Sequence, residues 1–337
     1  MRAWQLHDTR GPESISLDEV PEPVPGVGEV RVAPVTMGLN RLDLWVSQGL
    51  PAPPSLPHVL GADAAGTVDA VGTGVEGVSE GDEVIVNPSL SCGHCRRCLA
   101  GEILFCESFG ILGEHASGTF AERIVVPARN VVPRPATVPW DVAGSFALAT
   151  GTAYRMLRRA RLEAGETLLV VGVGGGVSSA AALLGVAFGA RVFVTSTSAD
   201  KVAWAVDHGA EGGFASDASF SKELAAAAGE ADVVVENVGP ATWRESLRAV
   251  RRGGRVVVCG STSGPKVELT VPVLFFKQLD ILGSSMFGHG EFDETIRLVS
   301  SGAVTPEVDS VFDFEDLPAA LERLDHRDRI GKVALGT

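Results

Sequence analysis

Four of the five cysteines fall in one short stretch, Cys92-x2-Cys95-x2-Cys98-x7-Cys106. Tetrahedral zinc takes four donors, with thiolate sulfurs at about 2.3 Å, and a Cys-x2-Cys spacing lets a tight turn aim neighbouring sulfurs at one point. Gly93 and Gly101 ease that turn. Two local disulfides or an iron–sulfur cluster are the other readings; disulfides fit poorly with an N-terminus that has no apolar export segment. Structural zinc is the expected occupant. With Cys at every ligand position the metal has no open site for substrate, so the lobe 91–109 should shape structure and leave chemistry elsewhere. His94 reads as a solvated bystander, and Cys259 as a small apolar residue at a strand end.

A second motif follows the apolar strand 167–171: Gly172-Val-Gly174-Gly175-Gly176-Val177-Ser178, opening a helix. Glycines permit a tight strand-to-helix turn and close approach of backbone to a pyrophosphate, while the helix N-terminus offers unpaired N–H groups. Val177 stands where a third glycine is expected, so the fingerprint alone is weak and a merely flexible turn is the alternative. The order strand, turn, helix, strand strengthens it. The next strand ends in Ser196-Thr197-Ser198, with Lys201 close behind. An acid there would hold the ribose 2′-hydroxyl of NAD. Small hydroxyl residues leave room for a 2′-phosphate, with Lys201 as countercharge, which favours NADP(H) over NAD(H).

These motifs sit in a chain of 337 residues, 45% hydrophobic and 21% charged, enough for two packed domains. Its net charge of −14 argues against nucleic acid as a partner. The uncharged stretch 168–190 is broken by Gly172, Gly174, Gly175 and Gly176, so it reads as strand, turn and helix rather than a membrane span. A cytoplasmic address is expected. The first 130 or so residues are short β-branched runs cut by Gly and Pro, a β-rich, barrel-like pattern. After Pro133 the rhythm becomes alternating helix and buried strand, which predicts an α/β unit with a parallel sheet covered on both faces.

With Gly61-Ala-Asp63-Ala-Ala-Gly66, Gly81-Asp82-Glu-Val, Gly118-Thr-Phe-Ala-Glu122, Thr152-Ala-Tyr154 and Gly331-Lys332-Val in this order, the chain resembles the medium-chain dehydrogenase/reductase superfamily from end to end. The resemblance implies an α/β protein with a GroES-like β-rich catalytic domain (1–128 and 268–337) and a Rossmann doubly wound parallel-sheet domain (129–267). It also implies a small-molecule substrate, an active-site cleft between the domains, and a homodimer or homotetramer. Zinc alcohol dehydrogenases of the superfamily ligate a catalytic metal at three positions that here read Asn40, Ala62 and approximately Leu148, none a good zinc ligand. A rearranged metal site from His58, Asp63 and His115 is the competing possibility.

Asn40-Arg-Leu-Asp43 resembles instead the Asn-x-x-Asp element of quinone-reductase-like members, which transfer hydride without a metal. The resemblance makes Asn40, Asp43 and Thr152 the candidate catalytic residues. Asn40 would donate to a carbonyl oxygen or the nicotinamide ribose, Asp43 would brace it, and Thr152 would lie beside the nicotinamide. Gly260 and Ser284 are further candidates for the cofactor site. The expected activity is NAD(P)H-dependent hydride transfer to a quinone or an activated C=C or carbonyl substrate. Two alternatives stay open: an alcohol dehydrogenase with an atypical zinc site, and an NADPH-binding protein without turnover.

Overall fold

In the strand Glu29–Gly38, Val30 and Val32 are buried and alternate with partly exposed Arg31 and Ala33, the two-residue period of a sheet with one covered face. The computed structural model, which describes residues 1–217 and 219–337, makes this strand the spine of a seven-stranded sheet. Asp63–Val71 pairs antiparallel on one side, Lys332–Gly336 on the other, and Ile124–Pro127 pairs with its first half. The register places Gly38 opposite both Asp63 and Ala334. Residues about 270 positions apart in sequence therefore meet at one end of the sheet. Gly66 belongs to the tightest part of this pairing: a Cβ there would lie 2.1 Å from the Ala33 carbonyl oxygen, so only glycine fits. The core beneath includes Leu6, Met37, Phe120, Phe314 and Leu335.

In the second compact unit the strands are apolar on both faces. Leu168, Leu169 and Val170 are buried, as are Val192 and Val194, Val233 to Val235, and Val256 and Val257. Such strands are stable only when helices cover both sides. All six pair in parallel, in the order Gly212–Ala215, Arg191–Ser196, Thr167–Val170, Ala231–Glu236, Val250–Val258, Asp280–Gly283. By sequence that is 3-2-1-4-5-6, the Rossmann order, with its reversal beside Thr167–Val170.

The compact units are Met1–Leu148 with Phe287–Ser301 and Glu307–Thr337, and Ala149–Met286 with Gly302–Pro306. Both changeovers come about twenty residues later than the boundaries read from sequence at 128/129 and 267/268. The strand Val131–Pro133 pairs with Glu83–Val86 and so belongs to the first unit, while Asp280–Gly283 completes the parallel sheet. Among the described residues no helix is long and apolar enough to cross a membrane.

Candidate functional site

The strand Thr167–Val170 leads into the helix Gly176–Ala187 through Gly172 and Gly174, whose φ values of 76° and 119° suit glycine. A Cβ on Gly174 would lie 2.4 Å from Lys201 Cδ, so the Lys201 side chain lies along the turn itself. Over Gly175, the N-cap, nothing stands within 4 Å of a Cβ position. Half-buried Val177 falls in the first helical turn, whose N–H groups have no intrahelical acceptor. Ser196 is buried and donates to the Val173 carbonyl at 3.3 Å, and it accepts from the Ser198 amide at 3.2 Å. Ser196 thus ties the turn together, whereas Thr197 is exposed.

Thr152, on the helix Ala147–Arg159, is 2% exposed and its hydroxyl has no partner; the Ser284 hydroxyl is also buried and unpartnered. A buried orphan of this kind costs about 1–3 kcal/mol, which a bound ligand or water would recover. The space over Gly175 and the helix N-terminus fit the pyrophosphate of a nicotinamide dinucleotide. The sequence reading missed Glu236, at the end of its strand. Its fully buried carboxylate accepts from the amides of Val238 (2.7 Å) and Gly239 (2.9 Å) and from the hydroxyls of Thr242 and Ser246. Glu236 therefore fixes the loop that sets Val238 against Gly172.

In the first unit, Asn40 caps the helix Arg41–Ser47 and joins a buried cluster with Asp43, Asp63 and Lys332. The Asn40 amide N–H donates to Asp43 Oδ2 at 2.7 Å, and Asp43 Oδ1 accepts from the Gly61 amide at 3.1 Å. Asp63 Oδ1 accepts from the Leu148 amide at 2.7 Å, and Oδ2 from Asn40 Nδ2 at 3.0 Å and Lys332 Nζ at 3.2 Å. Lys332 Nζ also donates to the Leu39 carbonyl at 2.7 Å and to Asn40 Oδ1. Burial pushes the Asp43 carboxyl up to about 7, opposed first by the Asn40 amide. Burial also raises Asp63 and lowers Lys332, opposed by their mutual attraction.

The ligand atoms of His58, Asp63 and His115 do not form a convergent group among the described residues. His58 is buried, with Nε2 on the Gly113 carbonyl at 3.2 Å and its basicity lowered by burial, while His115 Nδ1 accepts from the Ile111 amide. Among the described residues, the only convergent group of three or more His, Cys, Asp or Glu ligand atoms is Cys92, Cys95, Cys98 and Cys106. Their sulfurs stand 3.6 to 3.8 Å apart along three edges. A zinc tetrahedron with bonds of about 2.3 Å has edges of about 3.8 Å. Disulfides, at about 2.05 Å, are not formed, and sulfurs this close do not span a cluster of several irons. The amides of His94 and then Cys95 hold the Cys92 thiol below its ordinary value, while its sulfur neighbours push the Cys95 thiol up.

The family model described as the alcohol dehydrogenase GroES-like domain matches residues 26–136, and that described as zinc-binding dehydrogenase matches residues 176–301. The acryloyl-coenzyme A reductase of Metallosphaera sedula is 32% identical over 322 residues, 95% of each chain. The chain belongs to the medium-chain dehydrogenase/reductase superfamily. Among solved structures, an NAD-dependent alcohol dehydrogenase superposes with a TM-score of 0.97 at 39% identity, covering 100% of both chains. A cobalt- and zinc-bound thermostable alcohol dehydrogenase from Pyrobaculum aerophilum gives 0.92 at 34% identity, covering 100% of this chain and 99% of that one. Medium-chain dehydrogenase/reductases are NAD(P)-dependent oxidoreductases, and the GroES-like and Rossmann units found here are their two domains. Against that background the structure joins Asn40 and Asp43 to Asp63 and Lys332 in one unit, and places Thr152, Ser284, Gly260 and the glycine turn in the other. Lys332 was legible only as part of the closing Gly-Lys-Val; nothing local marks it as buried.

Proposed function

We propose that this chain is an NADP(H)-dependent reductase that delivers hydride to an activated C=C bond, or to a quinone, without a catalytic metal. The observation that carries the reading is the state of the three positions where related zinc enzymes ligate a catalytic metal. Asn40 and the Leu148 amide are bonded to Asp63, and Ala62 offers no ligand. The name of the Metallosphaera sedula relative, an acryloyl-coenzyme A reductase, supports a conjugated C=C acceptor.

In this reading bound NADPH supplies the hydride. The glycine turn and helix N-terminus would hold its pyrophosphate, and the unpartnered hydroxyls of Thr152 and Ser284 would orient the nicotinamide end. Asn40 would donate an Nδ2 hydrogen to the acceptor's carbonyl oxygen, where negative charge would grow on hydride addition, and solvent would supply the proton. Asp43 braces the Asn40 backbone. Assembly as a homodimer or homotetramer belongs to the same proposal. Exposed Val271, Phe275 and Phe276, close in sequence to the edge strand Asp280–Gly283, offer apolar surface to a second copy.

The test follows NADPH oxidation with an unsaturated acyl thioester and with a benzoquinone, with and without added zinc or cobalt. Turnover indifferent to added metal is expected. A rate that rises with metal while the cysteine lobe is already full would sink the reading. Cofactor choice is tested by Lys201→Glu, which should raise KM for NADPH about 10- to 100-fold, the worth of one charge-assisted phosphate contact, and change KM for NADH much less. Equal changes for the two cofactors would refute the 2′-phosphate argument.

A further inference from the structure

The buried cluster carries more than a brace for one helix. Lys332 comes from the last strand of the chain, is 5% exposed, and meets three acceptors: the Leu39 carbonyl, Asn40 Oδ1 and Asp63 Oδ2. Three acceptors match the three hydrogens of an ammonium, which accepts nothing. On the other side of the Asn40 amide stands the Asp63 carboxylate, which only accepts. The two neighbours therefore dictate the amide's orientation, with oxygen toward Lys332 and nitrogen toward Asp63. One Nδ2 hydrogen is committed to Asp63 at 3.0 Å. The other has only a long contact, 3.5 Å, to the Gly38 carbonyl. All four cluster residues are buried.

We propose that Lys332 is a positioning residue that acts through Asn40. By holding the amide oxygen it fixes which way the amide faces and, by drawing electron density toward that oxygen, makes the second Nδ2 hydrogen a stronger donor to a substrate oxygen. This rests on the reading of Asn40 as the donor in a metal-independent reduction. The reciprocal arrangement also explains why a buried lysine and a buried aspartate, each costly alone, occur together.

The test compares Lys332→Met with the double variant Lys332→Met/Asp63→Asn in the full-length protein. Lys332→Met strands the Asp63 charge, so both Tm and kcat should fall. The double variant has no unpaired buried charge and should recover Tm. Its kcat should stay about 10- to 100-fold low, as for other groups that orient a contacting residue, with KM for NADPH unchanged. Recovery of kcat together with Tm would show that the pair only stabilises the fold and would overturn the proposal. The wild-type protein labelled with ¹⁵N-asparagine gives a readout that needs neither activity nor a folded variant. The two side-chain protons of any asparagine are inequivalent, so the readout is the Asn40 proton on Asp63, which should lie downfield of an ordinary asparagine proton and exchange slowly. Asn40 protons with the shifts and fast exchange of a solvated asparagine would overturn the proposal. If the wild type reduces no acceptor while this signature is present, the functional reading fails and the locked amide stands.

Discussion

Gly175→Trp should abolish dinucleotide binding and leave the fold intact. Gly175 has φ −84° and ψ 160°, an ordinary extended conformation for any residue, and no atom lies within 4 Å of a Cβ built there. A Cβ at this position therefore strains nothing, and a bulky side chain beyond it would occupy the space a pyrophosphate needs beside the helix N-terminus. Losing those contacts should weaken NADPH binding by at least about 100-fold, or roughly 3 kcal/mol. Fluorescence titration with NADPH, run beside thermal unfolding of the ligand-free protein, separates the two effects. Gly174→Ala is the contrasting variant. At φ 119° the backbone disfavours a side chain, and the new methyl would displace Lys201, so its Tm should fall. Unchanged affinity in a folded Gly175→Trp protein would mean that the dinucleotide does not use this turn.

The glycine turn and the cysteine lobe were legible because each is local: the spacing that identifies the motif also builds the site. The parallel sheet was legible because strands such as Leu168–Val170 and Val233–Val235 are apolar at every position, a pattern that only double coverage explains. Two things were not legible. The domain boundaries depend on which strands Val131–Pro133 and Asp280–Gly283 pair with, and pairing partners lie far away in sequence. The partners of Asn40 depend on register, since Lys332 reaches it only because Gly38 stands opposite Ala334 and Asp63. A lysine opening an apolar strand normally reads as a solvated end. Superfamily likeness singled out Asn40 and Asp43, but it did not say that Asp63 and Lys332 complete the cluster.

Cys106→Ser should empty the cysteine lobe of zinc while leaving the cofactor site in place. Cys106 is the most buried of the four ligands, its Sγ accepts from the amides of Cys92 and Ser108, and it closes the quartet from outside the Cys-x2-Cys-x2-Cys run. A serine hydroxyl is a far poorer ligand than a thiolate, so the remaining three sulfurs should hold the ion orders of magnitude more weakly. Wild-type protein should contain one zinc per chain, and the variant none after dialysis. With Leu99 and Phe105 77% and 56% exposed, little packing would hold the lobe once its metal is lost, so proteolysis of the variant should begin within 91–109. Acidification should release zinc from the wild type, because protons compete for the thiolates. The decisive comparison is between zinc and rate. If the lobe is structural and Asn40 does the work assigned to it, a variant with no zinc should still bind NADPH within about threefold of the wild-type affinity and turn over until the lobe is cut. The threefold figure is about 0.6 kcal/mol, small beside the loss expected at Gly175. Two zinc ions per wild-type chain would contradict this outright, because the described residues offer one closed quartet of ligands.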